Sequence, residues 1–273
     1  PTTAGTGAET TAVIVLDLLD LHLKTGISHN NLRPAMAIVD PLNTLTMSPE
    51  VTASSGLDVF THAAESFTIK PYNMRPRPAS PAQRSAYVGA NPISDLWSEK
   101  AIEWAGAYLR RACYNGNDLE ARTYMAMGST FAGIGYGNAG VHVPHALGYP
   151  IAGMVKDWVP SGFGVDEPMV PHGISTALTA PACFRFTAPT DPAKHARIAE
   201  LLGASTVGVR CPECGNTWEL VLDVLAYFWQ ELCEEARRLL HEVHVLARNY
   251  GWAESDILAM STARRQAYLE MVR

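Results

Sequence analysis

The chain has little cysteine, little charge and no long apolar run, and each shortage excludes a class of protein. Five cysteines among 273 residues are too sparse, and an odd number, for a disulfide framework; they suit a reducing compartment. Charged residues make up 18% and the net charge is -6, so nucleic acid, which needs a basic face, is not expected as the main partner. No stretch reaches the roughly 18 apolar residues of a membrane span, and no membrane partner is expected. No basic segment followed by an apolar one opens the chain, so no secretory signal is expected. A starting Met is missing too. The chain opens on Pro1-Thr2-Thr3-Ala4-Gly5-Thr6-Gly7, a small-residue loop of the kind that follows a strand, and an N-terminal truncation is the expectation. What is present is 47% hydrophobic residues, ordinary for a packed core and enough for one large domain or two.

The texture changes along the chain. Thr11 to Leu16 and Ala35 to Val39 are β-branched and apolar and read as strands. From about residue 48 the pattern is helical. Met47-Ser48-Pro49-Glu50 places a Ser cap, a Pro at the first helical position and an acid near the positive helix end. Prolines 71, 76, 78, 81 and 92 make residues 71–97 a loop. Ser94 is then expected to cap a helix over about 95–114, and Asn117 or Asp118 to open the next, through about Gly133. Residues 155–172 read as a loop, and Ile174 to Thr179 as helix. Leu220, Leu222, Leu225, Phe228, Leu232 and Leu239 give 217–249 a near-helical period.

Three patterns carry chemistry. Asp58 and His62 stand one helical turn apart on one face, able to chelate one ion or simply to form an ion pair on a helix surface. His142 and His145 sit in an apolar segment, where imidazoles need partners; backbone carbonyls would serve as well as a metal. His172 follows a loop and precedes a helix, a common place for any polar residue. Together they supply a carboxylate and imidazoles suited to Fe(II) or Zn(II), and less well to Mn(II) or Ni(II), which separate helices can bring together.

With Asp40-Pro41-Leu42, Gly56-Leu57-Asp58, His62-Ala63, Glu65, Phe131-Ala132-Gly133, Asn138-Ala139-Gly140, His145 and Pro171-His172-Gly173, the chain resembles the iron-containing (group III) alcohol dehydrogenases over roughly residues 1–205. Tyr87 to Asp95, Asp118 to Arg122, Gly140-Val141-His142 and the long spacer carrying Val165 to Pro168 resemble one branch of that family, which passes hydride between a hydroxyacid and an oxoacid. The resemblance implies a mainly α, dehydroquinate synthase-like helical domain over 48–273. Residues 1–47 would be the strand-bearing remnant of an α/β nucleotide-binding domain, its strands frayed or unusually paired. It implies a metal, Fe(II) or Zn(II), on Asp58, His62, His145 and His172, and NAD(H) beside Thr2, Thr3, Gly5 and Thr6.

The implied chemistry is hydride transfer from an alcohol or hydroxyacid whose oxygen the metal polarises. The implied substrates are small alcohols or carboxylates such as 4-hydroxybutyrate and 2-oxoglutarate. Arg75, Arg77 and Arg84 are candidate carboxylate anchors, or a solvated basic loop. Many members carry a further His four residues after the ligand matching His145; here it is Tyr149, so a proton relay falls to that phenol or to His142. The resemblance allows a homodimer, in the cytoplasm of a bacterium or the mitochondrion of a eukaryote. A metalloprotein of a non-redox class, a lyase or hydrolase, would keep the same four ligands, and an inactive fragment would fit the same N-terminal truncation. Cys211 and Cys214 form half of a zinc knuckle, completable on paper by Cys233, His241 or His244, or merely a loop with two thiols. His241 and His244 are three apart, not the four of HExxH, and read as a solvated helix face.

Overall fold

A computed structural model describes residues 1–18, 23–203, 206–210, 217–221, 238, 241–258, 260 and 262–272. It divides into two compact units, Pro1–Leu222 and Asp223–Arg273.

The first unit is built around α1 (Pro49–Thr68), which touches each of α2 (Pro92–Tyr114), α3 (Leu119–Ala139), α4 (Val143–Met154), α5 (His172–Thr187) and α6 (Pro192–Leu201). Ser48 caps α1 by accepting from the Val51 N–H, with Pro49 in the first turn, as its sequence predicts. Fourteen residues of α1 are buried, so it is apolar and small-polar nearly all round, the signature of a central helix. Burying Val59 completely contributes roughly 1.5–3 kcal/mol. Close packing is achieved with glycine: a Cβ at Gly56 would lie 2.1 Å from Leu109 Cδ1, and one at Gly135 2.5 Å from Ser98 Oγ.

Several boundaries differ from those expected. The cap of α2 is Asn91, whose Oδ1 accepts from the Ile93 and Ser94 N–H groups; Pro92 is the first helical residue, and Ser94 is already inside and buried. Asp118 caps α3, which runs past Gly133 to Ala139. Helix α5 passes through Pro181 to Thr187. Strand β1 (Val13–Leu18) pairs antiparallel with β2 (Leu23–Ser28), Val13 opposite Ser28 and Leu18 opposite Leu23, and the two form their own sheet. Residues 35–39 are not a strand: they follow Pro34, which has no N–H to give a ladder, and Met36 and Ile38 are largely exposed.

The helical period expected over 217–249 is broken. Thr217–Val221 is a strand, β4, antiparallel to β3 (Thr206–Arg210); its Thr-Trp-Glu-Leu-Val composition favours a pleated ribbon. In the second unit residues 241–250 are helix (α7), followed by α8 (Glu254–Leu258) and α9 (Thr262–Met271). Val243, Leu246 and Ile257 form its core, with Tyr250, Trp252 and Tyr268 packed against it. His241 and His244 are exposed, but Glu242 between them is buried, accepting from Gln266 Nε2 at 2.6 Å and Arg265 Nε at 3.2 Å. Cys211, Cys214 and Cys233 lie outside the described residues. Among those described, no helix is long and apolar enough to cross a membrane.

Candidate metal centre

Three helices meet at Asp58. The carboxylate and His62 both come from α1, His145 from the first turn of α4, and His172 is the first residue of α5. Asp58 Oδ1 lies 3.6 Å from His62 Nδ1, 3.4 Å from His145 Nε2 and 3.9 Å from His172 Nε2. The His62 and His145 rings stack at 4.1 Å, and His172 stands edge-on to His145 at 5.4 Å. Gly173 makes the crossing of α5 over α1 possible: a Cβ there would fall 1.8 Å from the Ser54 carbonyl oxygen and 3.1 Å from Asp58 Cβ. The N-terminal end of α5, where backbone N–H groups carry partial positive charge, is thereby set against the Asp58 carboxylate.

These separations are too long for good hydrogen bonds, which run 2.7–3.2 Å. They are close to the donor-to-donor edge of about 3.3 Å that a tetrahedral ion with ligands near 2.0–2.1 Å would set. Asp58 Oδ1, His62 Nδ1 and His145 Nε2 are buried and have no hydrogen-bond partner. Each such atom costs about 1–3 kcal/mol, and one cation among them would satisfy all three. Asp58, His62 and His145 offer donor atoms within 4.8 Å of one another. The residues present therefore fit a divalent ion.

Glu65 sets the orientation of His145. It is fully buried, one helical turn beyond His62 on the same face of α1. Its Oε1 is 2.5 Å from His145 Nδ1 and accepts the His145 backbone N–H at 3.2 Å. Its Oε2 accepts the His142 backbone N–H. With Nδ1 held by a carboxylate, Nε2 is the atom turned to Asp58, an arrangement that fixes the tautomer of a ligand histidine. The spacing of Glu65 from Asp58 and His62 is visible in the sequence, but its bond to a helix 80 residues away is not.

The charges respond to this geometry. Burial pushes the Asp58 carboxyl up, but His62, His172 and His145 outweigh it and hold it well below the usual carboxylate range. Burial dominates at His62 and lowers it to about 3 in spite of Asp58, so its imidazole is neutral, with a lone pair to give. Burial also works against charge on His145, but the Glu65 and Asp58 carboxylates prevail and raise it to about 9. A cation entering the centre would displace that proton.

Tyr149 stands at the exposed side, its ring 6.4 Å from that of His172. Its OH would lie 3.8 Å from a Cβ on Gly26 of β2. His142 turns elsewhere: its Nε2 is 3.1 Å from Thr68 Oγ1 at the far end of α1, and its ring meets Phe184. Thr2, Thr3 and Thr6 are exposed and Gly5 is buried against Ser55 of α1. The segment they belong to runs along α3. There the Gly7 N–H donates to Ser129 Oγ at 3.1 Å, Thr130 Oγ1 to Glu9 at 2.6 Å, and Tyr136 OH to the Thr6 carbonyl at 2.5 Å. The Tyr136 ring also stacks on His62 at 4.1 Å and 11°; no periodicity or motif singles this residue out. Arg75 donates to the Tyr87 carbonyl at 3.0 Å, while Arg77 and Arg84 are exposed.

Residues 85–251 match the family model for the C-terminal part of the Fe-containing alcohol dehydrogenase family, and residues 1–41 match that for iron-containing alcohol dehydrogenase. The mitochondrial hydroxyacid-oxoacid transhydrogenase of Bos taurus is 50% identical over 216 residues, 79% of this chain and 46% of that protein. That of Caenorhabditis briggsae is 42% identical over 260 residues, 94% and 53%. The chain thus spans about half the length of the curated relatives it matches. Among solved structures, 1,3-propanediol oxidoreductase superposes with a TM-score of 0.61 at 31% identity, covering 75% of this chain and 45% of its own. Sulfoacetaldehyde reductase from Bifidobacterium kashiwanohense, in complex with NAD+, gives 0.55 at 28%, covering 74% and 50%.

Proposed function

Because the chain belongs to the iron-containing alcohol dehydrogenase family, we propose that it carries the metal-binding, substrate-activating part of an oxidoreductase. It passes hydride between a small alcohol or hydroxyacid and NAD(H). In the finer reading it is a hydroxyacid-oxoacid transhydrogenase, with 4-hydroxybutyrate and 2-oxoglutarate as the pair. The observation that carries the proposal is the convergence of Asp58, His62 and His145, whose buried donor atoms have no hydrogen-bond partner, with His172 Nε2 3.9 Å from the same Asp58 oxygen.

Asp58, His62, His145 and His172 would hold Fe(II) or Zn(II), which when bound supplies Lewis-acid polarisation of the substrate oxygen. The rest falls to the chain. Glu65 holds His145 in the tautomer that faces Asp58. The buried His62 and His145 rings, with the half-buried Tyr136 stacked on His62, close the inner side. Tyr149, beside the partly exposed His172, is placed to hand the hydroxyl proton toward solvent. Thr2, Thr3, Gly5 and Thr6 form the nicotinamide side, in a segment (residues 1–47) that belongs to an α/β nucleotide-binding domain, with 48–273 as the helical domain. A homodimer is compatible with this reading. The compartment is proposed to be mitochondrial in a eukaryotic source, following the names of the relatives, and cytoplasmic otherwise.

The test is metal content, by elemental analysis after reconstitution, of the chain and of an Asp58→Ala/His172→Ala variant. About one ion per chain, as four donors around a single point require, is expected, and its loss in the variant. No ion in the parent overturns the four-residue centre. With the centre established, reduction of 2-oxoglutarate coupled to 4-hydroxybutyrate oxidation tests the finer reading. Metal without hydride transfer, in the protein complete with its nucleotide-binding part, would favour a lyase or hydrolase.

A further inference from the structure

Residues 6–11 lie along one face of α3, held by Ser129, Thr130 and Tyr136 and by the small Gly133. Of these residues Tyr136 also reaches the metal centre. Its hydroxyl donates to the Thr6 carbonyl at 2.5 Å, and the opposite end of the same side chain, its ring, lies flat on His62 at 4.1 Å. A ring stacked at 11° on an imidazole fixes that imidazole's plane, and a hydroxyl bonded to a backbone carbonyl fixes the path of the chain that carries it. One rigid side chain with two rotatable bonds therefore spans from the proposed cofactor segment to a proposed metal ligand.

We infer that Tyr136 is a positioning residue that couples the Thr2–Gly7 segment to the metal centre, so that ordering His62 on a metal also orders the segment. The inference rests on the reading of Asp58, His62, His145 and His172 as metal ligands. It goes beyond it by assigning a link between the two halves of a site in which hydride must cross a short, fixed gap. A phenylalanine at 136 would keep the stack on His62 and lose the tie to Thr6, and a leucine would lose both.

The experiment is hydrogen–deuterium exchange of peptides covering residues 4–11 in the full chain, with and without Co(II) as the probe ion. Parent, Tyr136→Phe and Tyr136→Leu are compared, and Co(II) binding is followed by its visible absorption. In the parent, Co(II) slows exchange over 4–11. In Tyr136→Phe the metal still binds, metal-free exchange over 4–11 is roughly three- to tenfold faster, the range one hydrogen bond spans, and the Co(II)-dependent slowing is lost. A plain structural role would give the first change without the second. Retention of the full Co(II)-dependent slowing in Tyr136→Phe, or its absence in a parent that binds Co(II), overturns the coupling. A parent that binds no Co(II) overturns the metal centre itself, and the coupling with it.

Discussion

Among the described residues two glutamates are buried, one in each unit, and they are used in opposite ways. Glu242 in the second unit closes on itself: Arg265 and Gln266 supply its partners, and Arg238 stands 3.6 Å off. Glu65 in the first unit opens outward. It takes two backbone N–H groups and the Nδ1 of His145, and that imidazole then presents a second nitrogen with no partner. A buried carboxylate whose chain of contacts ends on a cation is a structural clasp. One whose chain ends on an unsatisfied nitrogen, beside another unsatisfied nitrogen and an unsatisfied oxygen, points at something to be bound.

The sharpest way to break the comparison is at its open end. Asp58→Ala/His172→Ala is expected to abolish metal binding, a loss beyond the roughly 100-fold that outer partners reach, measured by elemental analysis, with the second unit unaffected. Next comes the clasp. Glu242→Ala removes the buried acceptor of Arg265 Nε and Gln266 Nε2 and is expected to cost about 1–3 kcal/mol in denaturant unfolding while metal affinity stays put; a metal-binding defect there would erase the distinction. Glu65→Gln is smaller, with metal affinity falling roughly 10–100-fold, read by competition with a chromophoric chelator.

A further test of the open end is one of pH in the metal-free chain. The folded pKa of His145 is raised from 6.5 to about 9. The stability its charged form contributes is therefore fully present below about pH 6.5 and lost as pH rises to about 9. Unfolding midpoints in chelator from pH 6 to 9.5 should fall across that window in the parent. In His145→Gln that component should vanish, and a parent slope that persists in this variant would show another group to be responsible.

The sequence makes the α1 end of the site legible, because Asp58 and His62 share a face at helical spacing and Ser48-Pro49 announces where that helix begins. Asn91-Pro92 carries the same signal at the start of α2, where it competes with Ser94, another good capping residue. His145 and His172 are candidates by their settings, an apolar segment and a loop–helix junction, but each setting fits a bland reading equally well, and only the family resemblance selects His145 over His142. Glu65 and Tyr136 act through contacts between distant segments, which no window of sequence contains. Strand β2 is hard to read because its alternation of Leu23, Thr25 and Ile27 with Lys24, Gly26 and Ser28 is short and carries a glycine, a poor strand former, whereas Ala35 to Val39 has the right composition and, among the described residues, no strand beside it.

Gly173 has a consequence best put in mechanical terms. The α1–α5 crossing is machined to the tolerance of one hydrogen atom, since even a methyl would sit 1.8 Å from the Ser54 carbonyl oxygen. Any other residue is a shim driven between the two helices. It would part them at the point where His172 leaves α5, withdrawing one of the four proposed donors while the three on α1 and α4 stay in place. The number of donors at the proposed centre is thus set by a side chain that is absent, and drift at this one position would retune it without touching any of the four.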